Sequence, residues 1–188
     1  MAQITINIQT LDWTMGETVG LHLMLKKGSK ARIAWGDGKV QVVTGKQEPA
    51  SEKLAWVEAG HAYPEKGVNY TITICSEEED AIIGFNGCGM FEVKTLDVIL
   101  TECPNLRILG YSGYGEEKLD VSNQSQLNEV DFALTHLRPK DLEYLEKTLK
   151  RNSPYKIRGG SFGDDKIIEV SNGEIVGEDE GKLDSTYR

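Results

Sequence analysis

Hydrophobic and polar residues alternate along most of the N-terminal part of the chain, which is the pattern of strands with one buried face. The first such segment covers residues 3–9, where Ile4, Ile6 and Ile8 share one face. Further strand-like segments follow, separated by turns rich in glycine or polar residues: 19–26, 31–35, 39–43, 54–57 and 70–74. Short strands with regular turn signals predict an all-β sandwich.

The turn Gly36-Asp37-Gly38 connects two of these predicted strands. Glycine accepts positive φ without strain, and an aspartate between two glycines can accept hydrogen bonds from neighbouring backbone amides. The pattern therefore predicts a hairpin that sends the Trp35 indole into the core. Calcium binding is the alternative, but one carboxylate supplies few of the six to eight oxygens that calcium prefers, so we expect no metal site here.

A family pattern appears once these segments are taken together. Ile33-Ala34-Trp35-Gly36-Asp37-Gly38, followed by His61-Ala62-Tyr63, Gly67 and Tyr70-Thr71-Ile72-Thr73-Ile74, resembles the polycystic-kidney-disease (PKD) type domain. One extra residue between Gly67 and Tyr70 and a long loop over 45–54 depart from the family pattern. The resemblance implies an immunoglobulin-like sandwich, usually extracellular and often part of an adhesin, with no catalysis. It also implies that His61 and Tyr63 are structural and not an acid–base pair.

The second half of the chain has the spacing of leucine-rich repeats. Ile83-Gly84-Phe85 aligns with Leu109-Gly110-Tyr111 and with Val130-Asp131-Phe132, so the three aromatic residues are separated by 26 and 21 positions. The segment Leu119–Asn123 followed by Leu127 resembles bacterial surface repeats of the form L-D-V-S-N…L. This resemblance implies a short parallel sheet with Tyr111 and Phe132 in the core, and Cys88 at a position where such repeats prefer Asn or Cys.

The sequence pattern of the C-terminal part predicts a helix and strands that cap this sheet. Residues 139–150 begin with proline and place Leu142, Leu145 and Leu149 at helical spacing, which predicts a helix. A strand is expected over 155–158, and a hairpin over Asn172-Gly173. We place a domain boundary in the acidic run 76–80, expected to be a solvated junction. The predicted architecture is mainly β: a PKD-like sandwich over 1–78 and a leucine-rich-repeat-like region with a C-terminal helix over 79–188.

The composition and the net charge disfavour certain classes of binding partner. The chain has 188 residues, a formal net charge of −9 and a pI of about 4.9, which disfavours nucleic acid and anionic membranes as partners. No apolar run is long enough for a membrane helix, so no membrane insertion is expected. The N-terminus lacks the features of a signal peptide. An extracellular or cell-surface location therefore implies a leader absent from this chain, and a cytoplasmic location is the alternative.

The three cysteines, Cys75, Cys88 and Cys103, match no zinc-binding spacing. Their odd number leaves at least one free thiol, and we expect buried or half-buried thiols. A Cys75–Cys88 or a Cys88–Cys103 disulfide stays open as an alternative.

The two resemblances favour a non-catalytic surface or secreted binding module with a protein or glycan partner. No catalytic residue, cofactor or metal site is predicted. The binding candidates are residues expected on the exposed face of the parallel sheet, together with one exposed aromatic: Arg107, Ile108, Tyr114, Asn128, Glu129 and Asp131. A glycan-acting hydrolase is an alternative that would require paired carboxylates in a cleft. A purely structural spacer is the third possibility.

Overall fold

A computed structural model describes residues 1–12, 18–48, 53–87, 90, 93–111, 120–137, 139–161, 166–172 and 174–180. Over these residues the protein is mainly β, with two sheets and one short α-helix. Alternating burial explains the first strand, in which Ile4, Ile6 and Ile8 are fully buried between half-buried polar neighbours.

The smaller sheet has five strands in the order β4-β3-β6-β1-β8, and each neighbouring pair is antiparallel. The strand β1 lies at Ala2–Thr10 and pairs with β6 on one side and β8 on the other. The other strands of this sheet are β3 at Lys30–Ala34, β4 at Val40–Thr44, β6 at Asn69–Ser76 and β8 at Val93–Glu102.

The larger sheet has eight strands in the order β13-β12-β11-β10-β9-β7-β2-β5. Its central strands β7, β9, β10 and β11 run parallel to one another, whereas both ends are antiparallel. The strands are β2 at Thr18–Leu25, β5 at Trp56–Ala62, β7 at Ile82–Gly87, β9 at Ile108–Tyr111, β10 at Glu129–Leu137, β11 at Lys156–Ser161, β12 at Lys166–Ser171 and β13 at Glu174–Glu180.

The sequence pattern located most of these elements. The helix α1 at Pro139–Leu149 lies where leucine spacing predicted it, and a 3-10 turn at Lys150–Asn152 follows. Asn172 has φ of 52° in the turn between β12 and β13, as the predicted hairpin requires. Two strands differ from expectation: β5 was predicted over 54–57 but starts at Trp56 and continues to Ala62, and β8 was not predicted.

The register of the parallel strands corrects one alignment. Phe85 pairs with Leu109, and Leu109 pairs with Val130. The predicted alignment of Leu109 with Val130 is therefore right, but matching Ile83 with Leu109 was wrong by two residues. A shift of two keeps every side chain on the same face of the sheet, since strand periodicity is two.

Both sheets contribute to one hydrophobic core, whose buried members extend along the chain from Ala2 to Val170. Strands on either side of the predicted boundary at residue 78 pair directly, because β7 adds to β2 and β8 adds to β1. The division into two domains stays a prediction. The acidic run makes specific contacts on both sides of this boundary: Ser29 Oγ donates to Glu78 Oε2 at 2.9 Å within the N-terminal part, and Lys26 Nζ lies 2.8 Å from Asp80 Oδ2 across the boundary.

Candidate functional site

The larger sheet has one face in the core and one face turned outward. Leu23, Phe85, Leu109, Val130 and Ile157 are buried in the core cluster on successive strands. Because side chains alternate along a strand, the residues on either side of them lie on the opposite face. Their pairing defines two rows that cross six strands, and together these rows are called the outward face.

The first row, called the Trp56 row, consists of Trp56, Met24, Gly84, Ile108, Glu129 and Lys156. The second, called the Arg158 row, consists of Glu58, His22, Asn86, Gly110, Asp131 and Arg158. On the outward face, the apolar part of the Trp56 row, from Trp56 to Ile108, therefore lies beside the polar side chains of the Arg158 row.

The structure brings five of the six predicted binding residues together. Ile108, Glu129 and Asp131 lie in the two rows. Arg107 and Asn128 immediately precede β9 and β10, and the Asn128 amide donates to the Arg107 carbonyl at 3.1 Å. Arg107 is exposed, and the other four are half-buried. Tyr114 and the predicted core position of Cys88 lie outside the described residues, as do the side chains of Tyr111 and Phe132. The binding role of all six residues stays a prediction.

Polar side chains of the Arg158 row contact one another. Arg158 NH1 is 3.5 Å from Asp131 Oδ2, and His22 Nε2 is 3.5 Å from Glu58 Oε1. A surface ion pair such as Arg158–Asp131 contributes about 0–1 kcal/mol to stability. The outward face therefore presents hydrogen-bond donors and acceptors side by side.

Two glycines on the outward face leave space for neighbouring side chains, because they carry no Cβ. A Cβ built on Gly84 would lie 2.9 Å from Trp56 Cη2 and 3.1 Å from Met24 Cβ. The indole therefore reaches from β5 across β2 to β7, and Met24 beneath it is only 2% exposed. A Cβ on Gly110 would lie 3.0 Å from the Asp131 carbonyl oxygen and 3.3 Å from Asn86 Cγ. Both glycines let a neighbouring side chain lie flat on the sheet.

Sequence reasoning missed Trp56 as a surface residue. The alternation of Trp56, Glu58 and Gly60 against the buried Val57 and Ala59 was the available signal, because it places the indole on the face away from the core. A depression of about 460 Å³ opens along β4 and β5, lined by Val43, Thr44, Lys46, Trp56, Val57 and Glu58.

A second polar cluster lies at the predicted PKD-like turn. Asp37 Oδ1 accepts a hydrogen bond from the Lys39 amide at 3.0 Å, as the turn pattern predicted, and Oδ2 lies 2.8 Å from His61 Nε2. The His61 ring stacks on the buried Trp35 with centroids 5.3 Å apart. Tyr63 donates its hydroxyl to the Trp35 carbonyl at 2.8 Å. These contacts tie the turn to β5.

The ionisation of this cluster follows from its contacts. Burial by itself raises the pKa of Asp37, but the Lys39 amide and the His61 imidazole outweigh it and hold that pKa below its ordinary value of 3.8. Burial raises the pKa of the Tyr63 hydroxyl, with the Asp37 charge adding to the effect. Asp37 is thus a carboxylate at neutral pH and Tyr63 a neutral donor.

The described thiols are poorly suited to nucleophilic chemistry. Cys103 is buried and donates to the Gln3 carbonyl at 3.1 Å, and burial raises the pKa of this thiol to about 12. Burial also raises the pKa of the half-buried Cys75, and both cysteines are free thiols.

Among the residues that the structure describes, no group of three or more His, Cys, Asp or Glu side chains is placed to hold a metal ion. Within the same residues, no helix is both long and apolar enough to cross a membrane. Comparisons with protein-family models, with curated proteins and with solved structures find no match for this chain.

Proposed function

We propose that this protein is a non-catalytic binding or adhesion module of a bacterial surface or secreted protein. In this proposal a PKD-like β-sandwich is continued by a short leucine-rich-repeat-like sheet, and the outward face of the larger sheet binds the partner. The observation that carries the proposal is the register of the two rows, which aligns side chains from six strands on one surface.

Two features of the outward face support a binding role. Extended strands fix the backbone spacing of its side chains, so the backbone needs little further ordering when a partner binds. Its polar row includes carboxylate, imidazole, carboxamide and guanidinium groups, which together offer both donors and acceptors. The parallel strands β7, β9, β10 and β11 support the repeat-like part of the proposal. Each strand contributes one buried apolar residue, and these residues pair with one another in a single row across the sheet.

A binding screen against arrayed glycans and extracellular matrix proteins tests the proposal. The double variant Arg107→Gln/Glu129→Gln removes one cation and one anion at the parallel strands. The double variant Arg32→Gln/Glu102→Gln is the matched control, because it makes the same changes at exposed residues of the smaller sheet, on its face away from the core. We expect at least one specific ligand, whose binding falls in the first variant only.

Equal loss in both double variants, or loss in the control alone, would contradict the use of the outward face. A screen without any specific ligand would favour the structural spacer.

A further inference from the structure

The strand β4 lies at one end of the smaller sheet and pairs only with β3 among the described strands. The register of this pair is continuous, and the Trp35 amide donates to the Lys39 carbonyl at 3.0 Å next to the turn. Hydrogen bonds in an antiparallel pair connect every second residue of each strand. Starting from this bond, the alternation directs the N–H and carbonyl groups of Val40, Val42 and Thr44 away from β3, toward the open edge of the sheet.

The same three residues have exposed side chains. Val40 is 47% exposed and Val42 is 58% exposed, and Thr44 is exposed as well. The depression between β4 and β5 shows that the nearest strand of the larger sheet does not cover this edge. In the part of the chain that the structure describes, no other backbone group bonds to these three amides. The edge of β4 therefore meets the conditions for strand addition, in which an extended segment joins a sheet through its backbone.

The charge at this edge is positive. Lys39 precedes β4 and Lys46 follows it, both are exposed, and no acidic residue lies between positions 38 and 47. The carboxylate that lines the depression together with Lys46 is Glu58, which lies 3.5 Å from His22 Nε2. The end strands β5, β8 and β13 each contain at least one acidic residue, whereas β4 contains none. In a chain with a formal net charge of −9, this edge is therefore suited to an acidic strand.

The protein itself contains such a strand at the far end of its larger sheet. The strand β13 at Glu174–Glu180 has the sequence Glu-Ile-Val-Gly-Glu-Asp-Glu, with four acidic residues and no basic one. Among the described strands it pairs only with β12, so its other side is an end of the sheet. Seven strand spacings, roughly 30–35 Å, separate it from β5, the strand next to β4. The strand β13 therefore cannot pair with β4 of its own molecule.

We propose that β13 of one molecule adds to the open edge of β4 in a second molecule, so that the protein assembles head to tail. Backbone hydrogen bonds supply the pairing, and the opposite charges of the two strands select the partner. The two surfaces differ, so the interface is heterologous and continues from molecule to molecule into a ring or an open filament.

Pairing of two β4 edges is disfavoured by the same charges. An antiparallel pair centred on Val42 would bring Lys39 of one molecule beside Lys46 of the other, and like charges on neighbouring strands are destabilising. The assembly uses the ends of the two sheets and not the outward face, so the inference is independent of the proposed function.

Analytical ultracentrifugation of the full chain over a range of concentrations tests the inference. A strand-addition interface of this size is small, so the association is expected to be weak and to require sub-millimolar protein. At low salt we expect the weight-average mass to rise with concentration above the monomer mass of 20.9 kDa. In about 1 M salt, where the Debye length falls to about 3 Å, the mass should return toward that of the monomer.

Reversing the charges beside β4 should weaken the association. We expect Lys39→Glu/Lys46→Glu to lower the association constant at least about tenfold, because β4 then repels β13. The matched control is Lys147→Glu/Lys150→Glu, which makes the same charge change at exposed residues of α1 and the turn after it. The control should associate as the wild type does.

Reversing the charges of β13 should have the same effect. We expect Glu178→Lys/Glu180→Lys to lose at least about tenfold in association, since both partner strands are then basic. Its control is Glu77→Lys/Glu79→Lys, which has the same spacing and lies at exposed residues of the acidic run.

Mixing the two reversed variants provides the sharpest test. Lys39→Glu/Lys46→Glu has an acidic β4 edge, and Glu178→Lys/Glu180→Lys has a basic β13. Each variant alone should stay monomeric, whereas an equimolar mixture should associate, because every contact between unlike molecules again joins opposite charges. Restored association also shows that both variants are folded.

A proline variant tests the backbone pairing separately. The Val42 amide faces the open edge, so Val42→Pro removes a donor from the interface without breaking a bond to β3. We expect a cooperative thermal transition in this variant and an association weakened by about threefold to tenfold, the loss expected for one hydrogen bond.

The inference is overturned if the full chain stays monomeric at low salt, which would leave the β4 edge to a different protein. It is also overturned if the mixture of reversed variants associates no better than either variant alone, or if Val42→Pro associates as the wild type does. Association that persists in Glu178→Lys/Glu180→Lys would exclude β13 and indicate pairing between identical edges. None of these outcomes bears on a ligand whose binding is lost in Arg107→Gln/Glu129→Gln, so the proposed function fails or stands separately.

Discussion

The imidazole of His61 lies 2.8 Å from the carboxylate of Asp37, and both side chains are largely buried, at 15% and 12% exposed. The pair joins the turn after β3 to the C-terminal end of β5, and these two strands belong to different sheets. Stacking of His61 on Trp35 places this polar contact directly against the hydrophobic core. The contact therefore couples a surface turn to the packing between the sheets.

Replacing Asp37 by Asn should destabilise the protein by about 1–3 kcal/mol at pH 7, the cost of losing a hydrogen-bonded charge at a buried site. The pKa of Asp37 is lowered in the folded state, so its carboxylate stabilises the fold above the unfolded-state pKa near 3.8 and loses that effect as pH falls further. Urea unfolding at pH 7, 5 and 3 should show the difference between wild type and Asp37→Asn shrinking at pH 3. A difference that grows toward acid would refute this role.

Gly36 and Gly38 provide a matched pair of substitutions, because both have φ of 90°. A Cβ on Gly36 would lie 2.7 Å from the Thr71 carbonyl oxygen, whereas a Cβ on Gly38 meets nothing within 4 Å. Gly38→Ala should cost about 1–2 kcal/mol from the left-handed backbone alone. Gly36→Ala should cost more, since β6 must also move. Chemical denaturation measures both, and equal free energies of unfolding would argue against the close approach of Gly36 to β6.

Gly84→Ala should displace the Trp56 indole, because the added methyl group would lie only 2.9 Å from Cη2, closer than van der Waals contact allows. Gly110→Ala is the control: its methyl group meets Asp131 and Asn86 and does not reach the indole. We expect the Trp56 indole N–H signal to shift in the first variant and to remain in place in the second. Identical spectra for Gly84→Ala and wild type would mean that the indole does not rest on β7.

Calcium and its chelators should change the melting temperature by less than about 1 °C, because a ligand stabilises the fold only in proportion to its binding. Both oxygens of Asp37 are already engaged, one by the Lys39 amide and one by His61. Thermal denaturation with millimolar calcium and then with chelator measures this. A large rise that the chelator reverses would show that the protein binds calcium and would contradict this expectation.

A fragment of residues 81–188 should not fold cooperatively. Without the N-terminal part, β7 loses its partner β2 and β8 loses its partner β1, so Phe85, Val98 and Leu100 become exposed. Circular dichroism during heating should show no sigmoidal transition for the fragment and one for the full chain. A cooperative transition in the fragment would instead support an independent domain after the predicted boundary.

The sequence predicts the elements better than it predicts their association. Regular alternation in β1 and helical leucine spacing in α1 were sufficient to locate both. The strand β8 was missed because its buried residues Val93, Thr95, Val98 and Leu100 are spaced irregularly, and its pairing with β1 contains register shifts that disrupt the alternation. The segment Leu96-Asp97-Val98 within it resembled a repeat motif and concealed the strand further.

The candidate site was predictable only in part. Leucine-rich-repeat spacing was enough to select Ile108, Glu129 and Asp131, since it depends on local alternation. Trp56, His22 and Asn86 come onto the same surface through the pairing of β5, β2 and β7, which residues distant in sequence determine. A single sequence offers no signal for that pairing, and the glycine that admits the indole lies 28 positions from Trp56.

Hydrogen exchange of the full chain with and without the strongest ligand from the binding screen tests the central claim most directly. If the outward face binds that ligand, backbone amides of residues 106–111 and 127–131 become more protected, whereas those of residues 3–8 and 70–75 in the smaller sheet do not change. Protection confined to the smaller sheet would contradict the proposed function, as would the absence of any change in the parallel strands.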